Sequence, residues 1–407
     1  MKIVQINTVV NNSTGRIMHD IQRMADSIGY STLSIVGRRS IYDDAPCVKY
    51  GNGISFWIHV AITTIFDKQG YGSYFQTKKI VNRLRLEKPD IIHLHNIHGY
   101  YIHIPTLFNY LNNEFKGKIV WTLHDLWPIT GHCPHYVAVG CDRWRTGCFK
   151  CPNKRLYPVS LFIDNSKNNY YKKRELFTKS NEVTLTVPSE WMKEQLGESF
   201  LKDYSCQVIH NGIDTQVFDF NRSDIHIDHV YARYNIPSEK RVILAVASLW
   251  DKRKGLADIL DLSEVLSEEY TIVVVGLSDR QINILPQNVI GLKRTENINE
   301  LVALYSGANI FINPSLEESF SLVTIEAQAC GTPCIVLDTS AVKNLINDNN
   351  GIVLHEHNMV DYLRTITEIE RRDYLRENVR KEALKYTNDA MLKGYMNLYK
   401  EVLEIDE

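Results

Sequence analysis

The sequence predicts an α/β protein made of two domains, each with a parallel sheet. Three observations carry this. Apolar runs of strand length alternate with segments of helical periodicity along the chain, the signature of βα units. The rhythm breaks after Ile209 at a polar stretch, Phe218 to Lys240, and restarts at Arg241. The chain has 407 residues, enough for two domains with sizeable cores. The expected bounds are 1–212 and 213–385, with an insert at 131–152 and a terminal helix at 386–407.

Composition narrows the classes. Hydrophobic residues make up 44% and charged residues 23%, as in ordinary soluble protein. The formal net charge is −2, so no global basic field points to nucleic acid. No apolar run reaches the roughly 18 residues of a membrane helix. The N-terminus enters a strand directly, Lys2-Ile-Val-Gln-Ile, with no signal peptide pattern, so a cytoplasmic location is expected. The eight cysteines are then expected reduced or metal-bound rather than paired.

In chain order, Ile3 to Ile6 reads as the first strand. Asn11 to Arg16 is a polar turn leading into a helix with Ile17, Ile21, Met24 and Ile28 on one face, Ser13 or Thr14 being its expected N-cap. A small-residue turn here lets a ligand approach the backbone closely. Ser31 to Val36 is the second strand. Gly53 to Asp67, rich in Phe56, Trp57, Ile58, Ile62 and Phe66, is expected as a core-packed helix; an interfacial membrane patch is the other reading. The basic helix after it (Lys78, Lys79, Arg83, Arg85, Lys88) reads as a solvated face or as one turned to anionic headgroups. Asp90 to Leu94 and Lys118 to Leu123 are strands ending in His95-Asn96-Ile97-His98 and in His124-Asp125. Two parallel strands thus deliver histidines to the same sheet edge, which favours a site over an isolated structural histidine.

Cys133, Cys141, Cys148 and Cys151 fall within nineteen residues, with histidines between them. The Cys148-x-x-Cys151 spacing is that of a metal knuckle, and the other two thiols complete a four-thiolate set for structural zinc. Free thiols and disulfides stay open as readings of the same segment. Strands at Glu182 to Val187 and Gln207 to Ile209 finish the first domain.

The second domain opens with a strand, Arg241 to Ala247, and a basic loop, Trp250-Asp-Lys-Arg-Lys-Gly255, suited to clamp a diphosphate. Thr271 to Val275 is a strand, Gly291 to Glu296 a loop, and Asn299 to Ser306 a helix. Asn309 to Asn313 is a buried strand running into a polar loop with Glu317, Glu318 and Ser319. Leu322, Ile325 and Ala329 then recur at helical spacing, and Gly331 stops the helix. Glu318 therefore sits on a loop at the carboxyl end of a strand, and Glu326 about one turn into the helix. Backbone N–H groups at that helix N-terminus suit a phosphate. Pro333 to Leu337 is a strand, Ala341 to Asn347 a short helix, and Glu368 to Tyr386 and Asp389 to Leu403 the last helices.

The stretch Asn313-Pro-Ser-x-x-Glu318 … Glu326-Ala … Cys330-Gly-Thr-Pro333 closely resembles the signature of retaining two-domain glycosyltransferases, the GT-B group of family four. Trp121-Thr-Leu-His-Asp followed by the cysteine segment resembles capsule and colanic-acid-type transferases. The resemblance implies two doubly wound, Rossmann-like domains facing across a cleft. It implies a nucleoside-diphosphate sugar as donor, UDP preferred over GDP, and a glycan or polyprenyl-linked saccharide as acceptor, with retention of configuration. No catalytic cofactor is expected, nor nucleic acid; weak peripheral contact at the inner face of the cytoplasmic membrane is. Glu318 would contact the transferred sugar and His124 would bind it from the opposite wall. Lys254 and Arg253, with the N–H groups of Phe320, Ser321, Leu322 and Val323, would hold the diphosphate, and Glu326 the ribose. Gly15 and Arg16 stand where the family has a double glycine beside the diphosphate; Ala247-Ser248-Leu249 stands where it has an arginine. His95, Asn96 and Asp125 would line the acceptor side, and the cysteine insert would shape it. A GT-B epimerase or phosphorylase, or a degenerate sugar-nucleotide-binding module, are the alternatives.

Overall fold

The computed structural model describes residues 1–38, 42, 44–180 and 182–404; the last three residues of the expected 386–407 segment lie outside these. The chain divides into two compact units, Met1–His210 with Leu392–Glu407, and Asn211–Met391.

The first unit contains β1 (Lys2–Asn7), β2 (Ser31–Val36), β3 (Cys47–Lys49), β4 (Ile91–Leu94), β5 (Lys118–Thr122), β6 (Val183–Val187) and β7 (Cys206–Val208). They form one sheet in the order β3-β2-β1-β4-β5-β6-β7, every pair parallel. Its helices are α1 (Ser13–Ser27), α2 (Gly53–Phe66), α3 (Tyr74–Glu87), α4 (Ile104–Asn113), α5 (Ser166–Phe177) and α6 (Glu190–Gly197). β4 is buried along its whole length because helices cover both faces of a parallel sheet. Strand order reverses direction at β1 and β4, so their carboxyl ends flank the crevice where such folds bind ligands.

Two expectations for this unit are corrected. Ser13 lies inside α1, and the N-cap is Asn12 at φ 84°, with no side-chain cap bond. α2 is a helix, but not a core-packed one: its buried side chains are Ser55, His59 and Thr63, while Ile54, Trp57, Ile58, Ile65 and Phe66 are exposed. The polar seam wins the inside because partners wait there. Ser55 and His59 bond Ser73 Oγ at 3.1 and 3.0 Å, and His59 Nε2 accepts from the Gly70 N–H.

The second unit contains α7 (Ile227–Arg233), β8 (Arg241–Val246), α8 (Leu256–Val265), β9 (Tyr270–Val275), α9 (Asp279–Ile282), β10 (Val289–Leu292), α10 (Ile298–Gly307), β11 (Ile310–Asn313), α11 (Leu322–Ala329), β12 (Cys334–Leu337), β13 (Gly351–Leu354), α12 (Met359–Arg372) and α13 (Arg376–Ala383). Its parallel sheet runs β10-β9-β8-β11-β12-β13, reversing at β8 and β11. Three boundaries differ from the sequence reading. Gly291 belongs to strand β10, where a Cβ would meet Leu285 Cδ1 at 2.3 Å, so the glycine marks close packing rather than a loop. Ala341 to Asn347 holds only a single 3₁₀ turn, Val342–Leu345. The expected helix 368–386 is two helices, broken after Arg372 by Asp373 in the left-handed conformation, φ 46°. A last helix, α14, spans Asn388–Val402. Residues from Leu392 on belong to the first unit, where Tyr399 Oη bonds His93 Nδ1 at 2.6 Å.

Candidate functional site

In the second unit, the loops after β8 and β11 meet at the reversal point. The basic loop forms a 3₁₀ turn, Lys252–Lys254, and then Gly255 adopts φ 75°. A Cβ on Gly255 would stand 2.3 Å from the Pro314 carbonyl oxygen, so only glycine lets the two loops approach. That approach pairs Lys254 Nζ with Glu318 Oε1, both side chains largely shielded. The residues expected on the diphosphate and on the sugar are therefore each other's partners in this structure. Arg253 turns elsewhere: its Nη1 donates to the Glu317 carbonyl at 2.8 Å, bracing the acidic loop. A residue not foreseen from sequence, Ser340, fixes Glu318 by accepting its N–H at 2.9 Å.

α11 begins beside this pair. Ser321 precedes it at φ 146°, ψ 87°, backbone that L-residues rarely adopt, and it provides no side-chain cap. Instead its hydroxyl is bound by Asn313 Nδ2 and Thr324 Oγ1, both at 2.9 Å. A strained turn over-determined by buried hydrogen bonds is the kind found at ligand sites. Without a side-chain cap at Ser321, the first N–H groups, those of Leu322 and Val323, suit an anion. The Phe320 side chain is buried, edge-on to Tyr386 at 5.6 Å, so it does not face a ligand. Glu326 is buried and accepts a 3.0 Å bond from Tyr305 Oη.

In the first unit, a hydrogen-bonded chain links the ends of β1, β4 and β5. Gln5 Nε2 donates to the Met18 carbonyl, which turns Gln5 Oε1 toward His95 Nε2 at 3.0 Å. That nitrogen must carry the proton. His95 Nδ1, 3.0 Å from His124 Nε2, is then the acceptor, so His124 is protonated at Nε2. Its Nδ1 keeps a lone pair and has no partner among the described residues. Burial holds His124 neutral, its pKa lowered to about 4; Asp125 works in the opposite direction. His95 is held well below the usual histidine range by burial and by its histidine neighbours. The arrangement makes His124 a hydrogen-bond acceptor at neutral pH, a role fitted to a hydroxyl. Asp125 accepts from the Trp127 N–H and bonds His98 Nε2 at 2.7 Å; although burial opposes ionisation, His98 beside it brings its pKa to about 2. Asn96 contributes its carbonyl, which accepts from Thr8 Oγ1 and Tyr101 Oη. Gln5 carried a visible signal: a polar residue in the middle of an apolar strand.

Gly15 is buried within α1, where a Cβ would lie 2.3 Å from Val10 C and O, so it serves packing; Arg16 is exposed. The four clustered cysteines line one small cavity with Tyr136 and Trp144. All four are free thiols, and among the described residues no three His, Cys, Asp or Glu side chains are grouped to hold a metal ion. Cys148 Sγ accepts from the Gly131 N–H, and burial pushes its pKa up to about 12.

Comparison with known proteins agrees with the two-sheet fold. The model "Glycosyl transferases group 1" matches residues 228–386, and "Glycosyltransferase Family 4" matches residues 42–217. The Escherichia coli protein named "Putative colanic acid biosynthesis glycosyl transferase WcaC" is 22% identical over 363 residues, 86% of each chain. The sucrose-phosphate synthase of Thermosynechococcus elongatus superposes with a TM-score of 0.73 at 15% identity, covering 100% of both chains. Anabaena HepE, solved in complex with UDP, gives a TM-score of 0.67 at 14% identity over 98% of this chain and 100% of its own.

Proposed function

Because the chain belongs to the group 1 glycosyltransferases of family 4, with the two-sheet GT-B fold, we propose that it moves a sugar from a nucleoside-diphosphate donor to a saccharide carried on a lipid, in surface polysaccharide synthesis. The observation that carries this is the Lys254–Glu318 pair beside the uncapped, strained start of α11. A cation and converging N–H groups suit a diphosphate, and an adjacent carboxylate suits sugar hydroxyls.

In this reading Lys254 and the N–H groups of Leu322 and Val323 neutralise the departing diphosphate. Charge develops there in the transition state, so fixed donors lower the barrier. Glu318, released from Lys254, accepts hydrogen bonds from the transferred sugar, and Glu326 from the ribose. In the first unit, His124 Nδ1 offers an acceptor to a sugar hydroxyl. The acceptor attacks the face the diphosphate leaves, with a departing phosphate oxygen taking its proton, so configuration is retained. UDP is the preferred nucleotide. Arg253 acts by holding the Glu317 carbonyl rather than by touching phosphate.

The test is a thermal-shift screen with UDP, GDP, ADP, CDP and dTDP, followed by transfer from the matching labelled sugar nucleotide to lipid-linked saccharides. One diphosphate should raise the melting temperature, since a ligand of the folded state stabilises it. An α-linked product should follow from an α-linked donor. Release of an isomerised sugar without any acceptor would replace this reading with an epimerase.

A further inference from the structure

Helix α2 is amphipathic in the reverse sense for a helix of a globular unit. Ser55, His59, Thr63 and the C-cap Asp67 recur every four residues on the buried side. Asp67 closes that seam by bonding His132 Nδ1 at 2.5 Å and accepting the Asn165 N–H at 2.8 Å. The outer face is Ile54 (78% exposed), Trp57 (67%), Ile58 (54%), Ala61 and Ile65. The helix contains no charged residue. A second apolar segment joins its last turn: the Leu161 N–H donates to the Thr64 carbonyl at 2.9 Å, and Leu161, Phe162 (70% exposed) and Ile163 are all exposed. Scattered exposed apolar residues are ordinary; a contiguous face fixed by a buried polar seam is an interaction surface.

The charges around it select the occupant. Lys68 follows α2 directly, and Arg155 and Lys167 bracket the Leu161–Ile163 segment in sequence; all three are exposed, with no carboxylate partner among the described residues. Asp164, the acid in that segment, spends its oxygens on the Cys151 and Ser166 N–H groups. We propose that the outer face of α2, with Leu161–Ile163, is a docking surface for an anionic lipid bilayer. The apolar side chains enter the acyl boundary, Trp57 settles at headgroup level, and the cations meet lipid phosphates. A second copy of the chain fits less well, because a two-fold contact would set like charges against like. The chain as a whole carries −2, so attraction to an anionic surface has to be local.

The full-length protein is floated with vesicles of phosphatidylcholine alone and of phosphatidylcholine with phosphatidylglycerol, without donor or acceptor. Lipid binding is thus read apart from sugar transfer, and failure here leaves the proposed reaction standing. The protein should float with the anionic vesicles. Trp57→Ser with Ile58→Ser should lower binding at least tenfold while leaving the thermal melt unchanged, since both side chains are exposed. Lys68→Glu with Lys167→Glu should lower it about fivefold per charge, and added salt should do the same. No flotation of the folded protein would overturn the proposal. So would equal binding to neutral vesicles, or concentration-dependent dimers that Trp57→Ser dissolves.

Discussion

Replacing Glu318 with alanine separates two effects that share one residue. Lys254 and Glu318 are paired, with side chains 18% and 13% exposed. Exposed pairs contribute up to about 1 kcal/mol, and breaking a buried one costs about 3–5 kcal/mol. This shielded but not sealed pair falls between, so the substitution should destabilise the second unit by about 1–3 kcal/mol. For a unit of about 180 residues that is roughly a 3–10 °C drop in melting temperature. Nucleotide affinity should move the other way. In the wild type the diphosphate shares Lys254 with a carboxylate; removing that charge should tighten binding by about 1 kcal/mol, or about fivefold. Sugar transfer should be lost. Calorimetric titration with UDP and GDP, a thermal melt and a transfer assay read the three outcomes separately. Loss of diphosphate binding together with transfer would refute the argument, because Glu318 would then be part of the phosphate clamp or essential to its geometry. Glu318→Gln keeps the shape and should retain the fold while still failing in transfer.

Other predictions follow from the same geometry. Lys254→Ala should weaken diphosphate binding about tenfold or more; unchanged affinity would remove Lys254 from the clamp. Gly255→Ala forces φ 75° on a residue with a Cβ aimed at Pro314 O, and should cost at least about 1 kcal/mol and displace Lys254, lowering affinity as well as stability. Stability should fall as the pH drops from about 6.5 toward 4. His124 and His93, held by burial at about 4 and about 3, stay neutral in the fold while the unfolded chain takes up protons first. Their stabilisation is present above the unfolded value, and a melting temperature flat across that window would contradict the neutral histidine chain. Cys148, pushed up to about 12, should resist alkylation at pH 8 in the native protein; rapid labelling, or about one zinc per chain by metal analysis, would refute the packed-thiol state.

Much of the molecule was legible in the chain itself. The alternation of apolar runs with helical periods determines both parallel sheets, because strand burial on two faces demands near-continuous apolar sequence. The spacing from Asn313 to Gly331 determines the strand–loop–helix unit, and with it the place of Glu318 and Glu326 at a carboxyl edge. The histidines closing β4 and β5 were visible for the same reason. Tertiary structure alone decided what those groups do to one another. Lys254 and Glu318 lie 64 residues apart, and only the close passage of Gly255 by Pro314 pairs them. The proton on His124 is set by Gln5, two strands away, through His95. Most plainly, α2 reads as a core helix because hydrophobicity is a property of residues, whereas its orientation depends on where partners stand. Ser73, Gly70, His132 and Asn165 wait beneath its polar seam, and buried polar groups that are satisfied hold that face inside. The apolar face is left outward by elimination, which no periodicity in the helix itself could reveal.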